Sequence, residues 1–272
     1  MRIIVNADDF GMDDDTVDAT IDCFERGALT SATLMVGMPA TARAAAYARE
    51  HPEHGYGAHL VFSGSGQERS LVPAGSIPHL VDAEGRFLPG RTVRVRALLG
   101  RIPVDEIARE AEAQLAALVE LGVPLDHVDA HRHLHKLPPF RAALERVLPR
   151  FGLDRVRAVQ DVYLRKPLGS PTYWVGGRWD TRLRASFRST DHFYMPTSAG
   201  DRAWEGALAT IAATLPGETL EVGVHPGRAE EWRREETRSL LALAGALRSA
   251  GHELVDWRDV GPGGEARLRG AA

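Results

Sequence analysis

The sequence predicts an α/β fold: a mostly parallel sheet of about seven strands, either closed into a barrel or doubly wound. Two observations predict it. Short apolar runs alternate along the chain with longer stretches of helical periodicity. Four polar clusters fall where apolar runs end, and ligands gather at the C-terminal ends of strands in a parallel sheet. No G-x-G-x-x-G follows the first run, so a dinucleotide site has no support, and there is no P-loop, nucleophile elbow or internal repeat.

Residues 2–7 read as a buried strand, and 14–27 as a helix that Asp13 to Asp15 can cap and Gly27 can stop. A second strand covers 31–37, an Ala-rich helix 40–50, and a third strand, 56–62, carries His59. Residues 63–103 are rich in Gly and Pro and exceed an ordinary connection, which marks a functional loop or insertion; 81–88 can form a short hairpin inside it. Helix 104–121 places Ile107, Ala111, Leu115 and Leu118 on one face. Strand 125–131, helix 138–150 with Pro138 and Pro139 in its first turn, and strand 154–159 follow. Residues 160–199 read as a second long irregular stretch. Helix 200–214, strand 218–224, helix 229–250 and strand 252–257 complete the series. The 272 residues suit one unit over 1–260, with a Gly/Arg-rich flexible tail over 261–272.

Composition narrows the class. A hydrophobic fraction of 44% supports a large core and argues against disorder. No run approaches the roughly 20 apolar residues that span a bilayer. The N-terminus runs straight into acids without a leader-like segment, so no signal peptide is expected. Cys23 is the only cysteine, which rules out a disulfide within the chain, argues against a cysteine-based zinc site, and fits a reducing, cytoplasmic setting. A net charge of −4 gives no reason to expect nucleic acid.

The polar clusters are Asp8 and Asp9 after the first strand, His59 near the end of the third, Asp129, His131, His133 and His135 at the end of the strand from 125, and His225 after the strand from 218. Each has a plainer reading: acids cap helices, a lone histidine fills a core, a histidine before Pro-Gly serves a turn. The 129–135 segment resists it. In an extended chain these four side chains share one face, where they repel when charged and cost desolvation when neutral. A metal or a polar substrate accounts for them, and the chemistry fits a divalent ion: two histidines and one aspartate leave coordination positions open for water and substrate. A second carboxylate can then act as base and a separate histidine as acid to a departing amine. Trp174 and Tyr194 lie in 160–199 and read either as core or interface residues or as aromatics at a site's mouth, where a flat ring can stack on a substrate.

NADDFG (6–11), GAHL (57–60), HVDAHRHLH (127–135) and EVGVHPG (221–227) resemble the YdjC-like carbohydrate deacetylase family, which includes chito-oligosaccharide and hopanoid-associated deacetylases. The resemblance covers almost the whole chain. It implies a distorted (β/α) TIM-like barrel, one divalent ion (Mg²⁺ or Zn²⁺), and hydrolysis of an N-acetyl group on an amino-sugar substrate (oligosaccharide, glycolipid or sugar-bearing metabolite) to acetate and a free amine. It also implies a homodimer. By matching motifs, Asp9, His59 and His131 are the expected ligands, Asp8 the general base and His225 the proton donor. Asp129, His133 and His135 are left to contact substrate or support the ligands. The stretch SIPHLVDAEGRFLPG (76–90) is nearer to the hopanoid-type branch. The alternatives are another metal-dependent esterase or phosphoesterase on the same scaffold, and a non-catalytic sugar-binding relative.

Overall fold

The computed structural model describes residues 1–196 and 204–261. A parallel sheet forms the centre, its strands β1 (Arg2–Phe10), β2 (Ser31–Leu34), β3 (Gly55–Leu60), β4 (Leu125–Ala130), β5 (His192–Tyr194), β6 (Thr219–Val224) and β7 (Glu253–Leu254). The spatial order is β4-β3-β2-β1-β6-β5, with β7 pairing with the start of β1. The helices are α1 (Asp14–Glu25), α2 (Thr41–Glu50), α3 (Gly90–Leu98), α4 (Val104–Glu120), α5 (Pro138–Val147), α6 (Pro171–Ser186), α7 (Trp204–Ala212) and α8 (Glu231–Ser249). The sheet curls into a half-barrel. Isolated parallel bridges, Val128 to Val156, Arg155 to Arg188 and Val162 to Tyr194, continue it across the gap between β4 and β5.

Strand periodicity sorts the side chains. Successive residues point to opposite faces. Ile3, Val5 and Ala7 of β1, Ala32 and Leu34 of β2, Tyr56, Ala58 and Leu60 of β3, Val128 and Ala130 of β4, and Leu220, Val222 and Val224 of β6 join the main apolar core. The alternate positions turn into the barrel and are mostly polar: Asn6 and Asp8, Ser31 and Thr33, His59, His127 and Asp129, and Glu221, all buried. The floor of the barrel is apolar, with Ile4, Val255, Trp257 and Val260 in contact. Trp257 stacks on His127 with ring centroids 4.6 Å apart. Gly57 leaves room for that histidine, since a Cβ there would lie 2.6 Å from the imidazole.

Three expectations need correction. Residues 154–159 are extended and tied to β4, through Arg157 N to Val128 O at 3.1 Å and Val128 N to Arg155 O at 2.9 Å, but form bridges rather than a regular strand. The stretch 63–103 contains α3, whose β-branched Thr92, Val93 and Val95 obscured it. Its expected turn is present, with bridges from Val81 to Phe87 and Arg69 to Arg86. The stretch 160–199 contains α6 and β5; Gly176 and Gly177 hide the helix from periodicity. The expected tail lies outside the described residues from 262 on, as do 200–203 of the helix expected over 200–214.

Candidate active site

The C-terminal ends of β1, β3 and β4 bring Asp9, His59 and His131 together. Asp9 Oδ1 lies 3.3 Å from His59 Nε2 and 3.0 Å from His131 Nδ1. One donor atom from each residue lies within 4.8 Å of the others, a set able to hold a divalent cation. The remaining atoms of two of these groups are held from behind. His59 Nδ1 meets Asp129 Oδ1 at 2.6 Å, which fixes the imidazole so that Nε2 faces the site. Arg233 of α8 donates to Asp9 Oδ2 at 2.8 Å, which leaves Oδ1 to face the histidines. Burial disfavours a proton on His59, but Asp129 and then the bond to Asp9 outweigh it and lift its pKa to about 10. Burial likewise opposes a charge on Asp9, and the charge of His131 with bonds to both histidines overcomes this and holds the carboxyl well below its ordinary range.

Asp8 sits on the other side of His59 and is gripped by Arg157, which is wholly buried. Arg157 Nη1 donates to Asp8 Oδ2 at 2.6 Å and Nη2 to Asp8 Oδ1 at 2.7 Å; Asn6 Nδ2 adds a bond to Oδ1 at 3.0 Å. The guanidinium also pairs with Asp129 and Glu221, and the Phe193 ring lies against it with its centroid 4.8 Å from Cζ. Against the opposing effect of burial, Arg157 first and His59 next keep Asp8 ionised far into acid. A carboxylate offers about four lone-pair sites, and Asp8 spends three on these donors, so one is left for a proton. Asp8, His59 and Asp129 also cluster closely enough for a cation, but Arg157 already supplies one between the two aspartates.

His225 follows β6. Its backbone N and its Nδ1 both meet Glu236 Oε1 of α8, at 2.6 and 3.2 Å. Burial lowers the affinity of this imidazole for a proton; Glu236 more than restores it, and the net shift is upward. The side chains of His131 and His225 are 17% and 22% exposed, whereas those of Asp8, Asp9 and His59 are at most 3% exposed, so the site opens toward the first two.

Backbone conformation explains how neighbours in sequence reach one site. Asp9 has φ 61°, and the β1–β2 register shifts between Ala7 and Phe10. In a regular strand Asp8 and Asp9 would face opposite ways; the left-handed residue turns both toward His59. Arg132 (φ 59°) and His133 (φ 54°) are also left-handed, and these three are the positive-φ residues other than glycine among the described residues. Such strain persists only where surrounding structure imposes it, and it concentrates at functional sites.

That turn overturns the one-face reading of 129–135. The strand ends at Ala130, and 131–136 form a kinked 3₁₀ segment. His131 reaches Asp9, while His133 Nε2 lies 3.1 Å from the Met195 sulfur and its ring meets Phe193 edge-on. His135 is buried beside His133, with both ring nitrogens unpartnered among the described residues, and burial drives its pKa down to about 3. Tyr194 is 1% exposed and packs on Trp204, so its ring offers no open face to a sugar. Trp174, on α6, is 68% exposed and donates to Leu168 O at 2.9 Å. Sequence reasoning missed Arg157, Arg233, Glu236 and Glu221. Glu221 left a signal, as a lone charge inside the apolar run 219–224; Arg157 shares its short run with Asp154 and Arg155, and Arg233 and Glu236 are lost in the charged run that opens α8.

The model of the YdjC-like protein family matches residues 2–254. A carbohydrate deacetylase of Brevibacillus brevis is 30% identical over 253 residues, which cover 90% of this chain and 92% of its own. A carbohydrate deacetylase of Geobacillus stearothermophilus is 36% identical over 82% of this chain and 78% of its own, and a chitooligosaccharide deacetylase of Serratia marcescens 32% identical over 64% and 68%. Among solved structures, an Enterococcus faecalis protein described as a cellobiose-phosphate cleavage protein superposes with a TM-score of 0.76 over 94% of this chain and 97% of its own; at 21% identity the likeness is one of fold. With the family matched from the first strand to the last, this chain belongs to the YdjC-like proteins.

Proposed function

We propose that the protein is a metal-dependent hydrolase that removes the N-acetyl group from an amino-sugar substrate and releases acetate. The observation that carries this reading is the division of labour at one opening. Asp9, His59 and His131 form a ligand set, Asp8 is a separate ionised carboxylate, and His225 is a separate imidazole made more basic by Glu236. Metal-assisted amide hydrolysis uses all three, because an amide is a weak electrophile with a poor leaving group. The deacetylase relatives point to the same reaction.

The donors suit either Mg²⁺ or Zn²⁺. When bound, such an ion polarises a carbonyl and makes a water more acidic. The chain's own residues do the rest. Asp8 takes a proton as the oxygen of water bonds to the acetyl carbon. His225 gives a proton to the sugar nitrogen as the carbon–nitrogen bond breaks. Arg157 keeps Asp8 ionised and in place, and Glu236 keeps His225 protonated and aimed. A cleft of ≈ 500 Å³ lined by Gly64, Ser65, Phe87, Pro89 and Arg132, the residue that follows His131 in the chain, has room for the rest of the substrate.

The test is acetate release from N-acetylated chitobiose, a GlcNAc glycolipid and an N-acetylated aminoglycoside-type sugar, using chelated protein with metal added back. Metal-restored acetate release from at least one is expected. Phosphate release from phosphorylated analogues without acetate release would point to a phosphoesterase instead.

A further inference from the structure

Glu221 is a fully buried acid on the inner face of β6, in register with Ile4 of β1 and Phe193 of β5. The chemistry above gives it no task. Its Oε1 accepts the Nε–H of Arg157 at 2.8 Å and lies 2.7 Å from Nη2 as an ion pair. Its Oε2 is buried and meets no donor among the described residues. Asp8 and Asp129 differ. Both oxygens of Asp8 face Arg157, and those of Asp129 face His59 on one side and Thr33 with Arg157 on the other.

A buried ionised carboxylate with one unpaired oxygen costs far more than a neutral acid with one unmatched hydroxyl. We propose that Glu221 is a neutral carboxylic acid below neutral pH, and that it acts as a positioning residue: its carbonyl oxygen props Arg157 while the guanidinium charge is left to Asp8 and Asp129. The role rests on the reading of Asp8 as base. Nη2 of Arg157 is shared between Asp8 Oδ1 and Glu221 Oε1, so a charge on Glu221 competes directly for the group that holds the base. The groups that face Glu221 are Arg157 from 154–159, His127 from β4 and Asp8 from β1. Burial lifts its pKa to about 7 despite the pull of Arg157. The proton is therefore held below neutrality and lost as pH rises.

Infrared difference spectra of the intact chain and of Glu221→Gln test the proton directly, without any substrate. The intact protein is expected to show the band of a protonated, weakly hydrogen-bonded carboxyl group in mild acid, fading in alkali and absent in Glu221→Gln. Kinetics test the role. Glu221→Ala removes the prop and is expected to lower kcat about ten-fold with KM little moved. Glu221→Gln has the shape of the neutral acid; it is expected to regain most of that loss and to keep turnover at higher pH better than the intact enzyme. The proposal is overturned if the intact protein lacks the band, or if folded Glu221→Gln is as impaired as Glu221→Ala, since Glu221 is then an ordinary ionised partner. Should the intact protein deacetylate nothing, the proposed reaction fails while the infrared result still decides the state of Glu221. Should Glu221→Ala not fold, the band and the Gln variant's pH profile decide.

Discussion

Along β6, Leu220, Val222 and Val224 turn outward into the apolar layer, while Glu221 turns into the barrel and meets Arg157. The same parity holds on β1, where Val5 and Ala7 face out and Asn6 and Asp8 face in, and on β4, where Val128 and Ala130 face out and His127 and Asp129 face in. The outer face gains stability by removing apolar area from water, which needs no precise geometry. The inner face buries charge, which is favourable only when each charge is paired and hydrogen-bonded. The inner face is therefore where reactive groups can be held in unusual protonation states, and the outer face carries the cost of doing so.

Substitutions can break this comparison. Arg157→Met removes the cation shared by Asp8, Asp129 and Glu221 and should destabilise the fold by about 3–5 kcal/mol in urea unfolding, with turnover lost as well. Unchanged stability would show that the interior charges are not held by that guanidinium. Leu220→Ala on the outer face should cost about 2–5 kcal/mol, while the kcat and pH profile of the folded fraction stay as they were. A shifted pH profile there would mean that the two faces are not independent.

Smaller changes sharpen it. Glu236 stabilises the protonated form of His225, whose pKa is raised. A proton donor works below its pKa and fails as pH rises through it, so Glu236→Gln should move the alkaline limb of kcat to lower pH. A limb that stays in place would assign it to another group. The smallest effect is expected at Trp174→Ala. Its exposed side chain should change stability by no more than about 0.5 kcal/mol, with any effect confined to KM for the larger substrates.

The regular part of the fold was legible because its parity is regular. Strands at 2–7, 125–131 and 218–224 and the amphipathic helix at 104–121 carry clear periods, and the structure has β1, β4, β6 and α4 there. α3 and α6 were hidden by β-branched residues and by paired glycines, which weigh against helix locally and are overridden by packing. The expected ligands Asp9, His59 and His131 lie together, and Asp8 and His225 lie beside them, because all sit at strand ends. The arrangement of the second half of HVDAHRHLH was not legible. Two left-handed residues, Arg132 and His133, redirect the chain after Ala130, and neither is a glycine that would have announced the turn. Arg233 and Glu236 approach from a helix more than two hundred residues from Asp9 along the chain, and nothing local distinguishes them from their charged neighbours.

The central claim is that Asp9 belongs to the cation and Asp8 to the proton. Metal content and acetate release measured together on Asp8→Asn and Asp9→Asn test it most directly. Asp8→Asn is expected to keep its metal and lose turnover by roughly 10³-fold, and Asp9→Asn to lose the metal itself. An Asp8→Asn protein that folds but holds no metal would contradict the division and exchange the two roles.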